Sequence, residues 1–163
     1  MLTIFKTVFV ITGLLALTSC TDADSAPASS PYTPPKTEAA ADGWQTYIDA
    51  PMVDRAAAEQ LNPSPDSPEA AVVKFLASRA RGDDVWREAM VSKSSDRIQR
   101  LLKEWDEWQL ERFQLRGRKD PRTDEAYIKV FFEISVEGDT DDGEDEFEVV
   151  REGEGWRIAR PPA

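Results

Sequence analysis

The chain has 163 residues, 40% hydrophobic and 31% charged, which is room for one modest domain plus non-globular segments. Its formal charge of −11 repels nucleic-acid phosphate, so no nucleic-acid partner is expected. There is no histidine, and Cys20 is the only cysteine. That composition excludes the usual general base, His/Cys zinc sites, thiol redox pairs and any disulfide within the chain.

Residues 1–19 read as a targeting segment. Lys6 precedes an apolar run from Thr7 to Leu17, too short to span a bilayer, which needs about 20 apolar residues. The run closes on Leu17-Thr18-Ser19-Cys20. This resembles the lipobox of bacterial lipoproteins, an aliphatic residue and two small ones before the cysteine. The resemblance implies cleavage before Cys20 and lipid on its sulfur and new amino terminus, with the membrane as first partner. Two or three acyl chains anchor stably where one is marginal. Cleavage removes only the charge of Lys6, leaving 19 basic against 31 acidic side chains, a net −12. Thr21, where an aspartate would resemble an inner-membrane retention signal, points to the periplasmic face of the outer membrane.

Residues 20–43 form the lipidated cysteine and a tether. The tether is rich in Ser, Ala, Thr, Asp and Pro, with Pro27, Pro31, Pro34 and Pro35 against helix and little apolar surface except Tyr32. Such composition does not offset the entropy of ordering. Residues 44–66 bring back Trp44, Tyr47, Ile48, Met52, Val53, Ala56, Ala57 and Leu61. They read as an amphipathic hook packed on the main domain, with Pro51 opening a short helix. A partner-binding segment is the alternative.

The main domain spans residues 67–163. Ser67-Pro68-Glu69 is a helix start: a hydroxyl cap, proline at the first position and a carboxylate near the positive dipole end. Val72, Val73, Leu76 and Ala80 follow at helical spacing until Gly82. Asp83 and Asp84 are read as caps of a second short helix through Trp86 and Met90. A third carries Ile98, Leu101, Leu102, Trp105 and Trp108 on one face. The period then drops to two. Phe113 and Leu115 alternate with Arg112, Gln114 and Arg116. A turn is expected at residues 119–124, then a long strand with Ile128, Val130, Phe132, Ile134 and Val136 on one face and Tyr127 and Phe131 on the other. Residues 138–143 read as another turn, before a strand with Phe147 and Val149. Glu152-Gly153-Glu154-Gly155 is a tight hairpin into a last strand with Trp156 and Ile158.

The expected class is therefore α+β, with N-terminal helices packed against a curved antiparallel sheet. The order of elements, the proline-capped helix ending near Arg81-Gly82-Asp83-Asp84 and the final Gly155-Trp156-Arg157-Ile158 strand resemble the nuclear transport factor 2-like cone fold. That resemblance covers about residues 67–160 and rests on pattern. Another small α+β meander without a cone is the competing architecture. Enzymes of the superfamily use a cavity carboxylate with a tyrosine or second acid, or an Asp–His dyad. The dyad is impossible here, and Asp83, Asp84, Asp106 and Glu133 with Tyr127 are the remaining candidates. None of them earns a catalytic assignment from its surroundings in the sequence. Trp86, Trp105, Trp108, Phe131 and Phe132 could line a cone cavity, although aromatic residues at helical spacing beside a sheet are normally core.

Charge is unevenly spread. Arg112, Arg116, Arg118, Lys119 and Arg122 surround the first hairpin, and Glu137, Asp139, Asp141, Asp142, Glu144, Asp145, Glu146 and Glu148 crowd the second. The two clusters could pair across the sheet. An EF-hand loop needs glycine sixth, whereas counting from Asp139 or Glu137 places Glu144 or Asp142 there. A solvated acidic hairpin is preferred to a weak divalent-ion site, and no metal or cofactor is expected. These features together lead to the expectation of a non-enzymatic envelope lipoprotein whose tethered domain is an interaction or scaffold module, with an envelope protein or a second copy as partner. A small-molecule-binding cone is the alternative.

Overall fold

The computed structural model describes residues 32–163. The signal segment, Cys20 and the first part of the tether lie outside the described residues. Three helices, α1 (Arg55–Glu59), α2 (Pro68–Arg81) and α3 (Asp96–Trp105), join one antiparallel sheet. Its strands are β1 (Thr37–Ala39), β2 (Gln45–Tyr47), β3 (Val53–Asp54), β4 (Gln109–Arg122), β5 (Glu125–Val136), β6 (Asp139–Glu152) and β7 (Gly155–Arg160). The sheet order is β1-β2-β4-β5-β6-β7, with β3 pairing β4 beside β2. The architecture is α+β with a curved seven-stranded sheet. Helices precede the meander, but three short strands come before the helices.

Helix α2 forms where the sequence places its signals. The Ser67 hydroxyl accepts from the Ala70 amide at 3.1 Å, Pro68 opens the helix, and Gly82 closes it in the left-handed region at φ 72°. Alanines at 70, 71, 77 and 80 let neighbours approach closely, so the helix is buried nearly all round. It packs on β4, β5, β6 and β7 and on α1. Helix α3 is one-sided, with Ser95 as cap and Ile98, Leu102 and Trp105 buried. The expected second helix is a 3-10 turn, Val85–Ala89. Asp84 stands at its N-cap position but makes no side-chain cap hydrogen bond; Asp83 supplies one instead, accepting from the Val85 amide at 3.0 Å as well as from Ser78 Oγ and Arg81 Nε.

Four boundaries differ from the sequence reading. The hook does contain a short helix, α1, but Pro51 does not open it: the hook first contributes β2 and β3 to one edge of β4, and α1 begins only after Asp54, which accepts from the Ala57 amide at 2.8 Å. Pairing with β4 satisfies backbone groups that so short a helix would leave open. The last residues assigned to the tether include β1, which pairs β2. Residues 119–122 continue β4, leaving a turn of two residues before Glu125. The acidic run at 139–143 is likewise strand rather than turn, since β6 pairs β5 from Val136↔Asp139 onward. Glu137 and Gly138 have φ 52° and 95°, the positive values of a two-residue type I′ hairpin, whose twist keeps both strands in register.

The far edge of β7 is not bare. Val91 N–H donates to Ile158 O at 3.1 Å, and Trp156 N–H to Pro65 O at 2.8 Å. On the outer face, charges do pair across strands: Arg112 with Glu133 at 2.6 Å, and Arg116 and Lys129 with Glu144 at 3.9 and 3.8 Å. Exposed pairs of this kind contribute about 0–1 kcal/mol each. They fix register more than stability.

Candidate functional site: a buried carboxylate beside an apolar cavity

The catalytic candidates raised by the sequence are dispersed and individually engaged. Asp83 holds the end of α2, and its hydrogen bonds from Arg81, Ser78 and Val85 outweigh burial and lower its carboxyl pKa. Asp84 meets Arg87 at 3.3 Å, Asp106 meets Arg79 at 2.7 Å and Glu133 meets Arg112. Tyr127 donates to Glu125 at 2.9 Å. No two of these carboxylates are brought to one cleft with Tyr127. Among the described residues no group of three or more His, Cys, Asp or Glu is arranged to hold a metal ion.

The aromatic set separates by face. Trp105 is the hub of a packed cluster, its ring centroid 5.4 Å from Phe75, 5.2 Å from Trp108, 5.9 Å from Phe132 and 6.1 Å from Phe147. Phe75 reaches Trp86 edge-on at 6.1 Å. Trp105 also donates its indole N–H to Pro162 O at 3.2 Å, tying down the C-terminal residues. Phe131 stands on the opposite face of β5, under the Arg116 guanidinium. None of the five lines the apolar cavity that the structure does contain.

That cavity, about 290 Å³, lies between the N-terminal segment and the α2–β4 layer. Tyr32 and Pro35 form one wall, and Ala50, Pro51, Met52 and Val53 from the β2–β3 connection form another. Ala57 of α1 and Leu61 beyond it, Val73 of α2, and Phe113 and Leu115 of β4 complete it. The tight β4 edge is what positions the second wall: Gln114 Nε2 donates to Ala50 O at 2.7 Å. No charged side chain lines this cavity, whereas three other concavities carry arginine, lysine, aspartate or glutamate in their walls.

One helical turn from Val73 sits Glu69, 1% exposed. Its Oε1 accepts from Tyr47 Oη at 2.7 Å and from Arg118 Nη1 at 3.0 Å, while Arg118 Nε reaches both oxygens of Asp120. Glu69 Oε2 has no hydrogen-bond partner among the described residues. Burial, reinforced by the Glu69 charge, pushes the Tyr32 phenol up to about 12. Burial, then the charge and hydrogen bond of Glu69, also raises Tyr47 far above its ordinary value. Burial alone would lower Arg118, but its hydrogen bond to Asp120 and the Glu69 charge outweigh it and raise its pKa. Both phenols are therefore donors rather than bases near neutral pH. The network stitches β2 to α2 and β4.

The stitch sets a pH dependence. Below pH 10 the tyrosines are protonated in folded and unfolded chains alike, and their contribution is fully present. Above it the unfolded chain releases protons that the folded one retains, up to about 12 for Tyr32, so stability falls as pH rises through that window. Urea midpoints at pH 8, 10 and 11 should therefore decline. Tyr47→Phe should start lower at pH 8 and decline less steeply, and equal slopes for the two proteins would refute the linkage.

Sequence reasoning assigned Glu69 to the helix dipole and missed its partners. The available hint was a carboxylate at the start of a helix otherwise Ala, Val, Phe and Leu on nearly every side. No protein-family model matches the chain, and neither a curated protein nor a solved structure matches it.

Proposed function

We propose that this chain is a non-enzymatic lipoprotein of a bacterial envelope, anchored through Cys20 at the periplasmic face of the outer membrane, with a nuclear transport factor 2-like domain as interaction module. The anchor rests on Leu17-Thr18-Ser19-Cys20 behind an apolar run. The domain reading is supported by the helices on a curved antiparallel sheet.

The observation carrying the interaction role is the placement of exposed apolar surface. Ile48, 54% exposed, and Met52, 42% exposed, both lie on the short β2–β3 connection, and Met52 is also part of the cavity wall. Clustered exposed apolar side chains mark contact surfaces in ways that single ones do not. An envelope protein or a second copy is the partner. Gently extracted lipoprotein should carry that additional mass in native mass spectrometry, and Ile48→Glu/Met52→Glu should lose it. A monomer mass in both would overturn the reading.

A second reading, a small-molecule-binding domain, draws on the cavity itself, whose uncharged walls and roughly 290 Å³ approach the lower range of ligand pockets, about 300 Å³. It moves the ligand from the aromatic cluster to the N-terminal edge. For the anchor, wild-type protein should fractionate with membranes and Cys20→Ser should be released in soluble form. A Cys20→Ser protein that remains with membranes would refute the lipid anchor.

A further inference from the structure

We infer that the apolar cavity is a site for one acyl chain, supplied by the lipid on Cys20 of the same molecule; this rests on the lipid-anchor reading above. The first argument is chemical. A charged or strongly polar metabolite needs a converging ion or several hydrogen-bond partners, and the walls offer the Tyr32 hydroxyl and otherwise Pro, Ala, Val, Leu, Met and Phe side chains. Glu69, whose charge acts on Tyr32, is already paired with Arg118. Apolar cavities of this kind stay dry and take apolar guests.

The second argument is size. At 290 Å³ the cavity holds about ten methylene-sized groups, taking each at roughly the 30 Å³ of a liquid water. That suits the distal part of a single fatty-acyl chain, whose polar end stays outside. It is too small for the paired chains of a whole phospholipid.

The third is connectivity. Tyr32 is part of the cavity wall, and Cys20 lies twelve residues before it. That length spans at most about 37 Å when polyproline-like and about 20 Å as a coil. An acyl chain on Cys20 is thus presented at an effective concentration on the order of millimolar. The remaining acyl chains stay in the bilayer, so the occupied state draws the domain and its Ile48/Met52 surface down toward the membrane.

The test uses the full lipoprotein in its own envelope. Cells are fed a diazirine-bearing palmitate, irradiated, and the purified protein is digested for mass spectrometry. The expected product is an intramolecular cross-link from the Cys20 lipid to peptides carrying Met52, Ala57 or Phe113. It should fall several-fold in Ala57→Trp, which fills the cavity, and in Met52→Trp at the exposed mouth; whichever variant keeps the wild-type melting transition is read. Cavity peptides bearing a separate phospholipid would overturn the claim that the chain is the protein's own. Cross-links confined to other surfaces, or unchanged in the filled variant, would overturn the cavity as the site. A Cys20 peptide free of any acyl group would instead fail the lipid-anchor reading, and the proposal with it.

Discussion

Replacing Trp105 by alanine should remove about 3–5 kcal/mol of stability, out of a total that for domains of this size is about 5–15. The side chain is 2% exposed and its ring contacts join α3 to β5, β6 and α2 through Phe132, Phe147 and Phe75. Edge-on and tilted aromatic pairs add to the transfer and cavity costs. Truncation also strands Pro162 O, which now accepts the indole N–H, so the buried Pro161 and Pro162 should detach. The measurement is a urea or thermal transition alongside C-terminal proteolysis. Trp105→Phe should fall between wild type and alanine. Trp108→Ala, at a partly buried site, should cost clearly less. A near-neutral Trp105→Ala would mean that the tryptophan lines an opening rather than filling the core.

That comparison bears on how much the sequence reveals. Helical spacing placed Trp105 on the packed face of its helix, and alternation put Phe131 and Phe132 on opposite faces, yet both were expected as possible cavity walls, and only Phe132 is buried. Periodicity does not distinguish a residue that lines a hole from one that fills it, because both lie on the same face. The helix from Ser67 to Gly82 and the Glu152–Gly155 hairpin were legible since each carries local stop and start chemistry. The β2 and β3 strands were not: two or three residues carry no period, and their conformation comes from the β4 edge they pair with. The acidic stretch of β6 misled for a different reason. Asp and Glu runs have low strand propensity, but the Glu137-Gly138 turn and the cations on β4 and β5 hold them in the ladder.

The candidate site was least legible of all. Tyr47 and Glu69 are 22 residues apart and Glu69 and Arg118 are 49 apart, so no local pattern links them. The cavity likewise draws its walls from five separate stretches of chain. What the sequence did carry was the return of apolar residues from Trp44 to Leu61. Those apolar residues were expected to form an amphipathic hook with a short helix opened by Pro51. The short helix starts later, at Arg55, and two short strands before it pair with β4; the gap beneath them is the cavity.

Arg118→Ala should be the most damaging change in the network, costing about 3 kcal/mol. Breaking a buried ion pair by removing one partner leaves the other charge uncompensated, typically at about 3–5 kcal/mol. The lower end applies because Arg118 keeps 26% side-chain exposure and water reaches it, whereas Glu69 keeps 2%. The asymmetry predicts the rest of the series. Glu69→Gln should cost about 1 kcal/mol, since its carbonyl still accepts from Tyr47 while Arg118 retains Asp120. Glu69→Met/Arg118→Met should be less unstable than Arg118→Ala alone, because neither charge then remains buried without its partner. A double-mutant cycle from urea transitions measures the coupling. Local proteolysis should follow the same order, because Tyr47 lies on β2 and loss of the stitch frees β1, β2 and the Tyr32 wall together. Arg118→Ala should therefore be cut first within residues 32–50, opening the cavity before the rest of the domain unfolds. If Glu69→Gln proved as costly as Arg118→Ala, the buried charge would not be the source of the strain and the stitch would be ordinary packing.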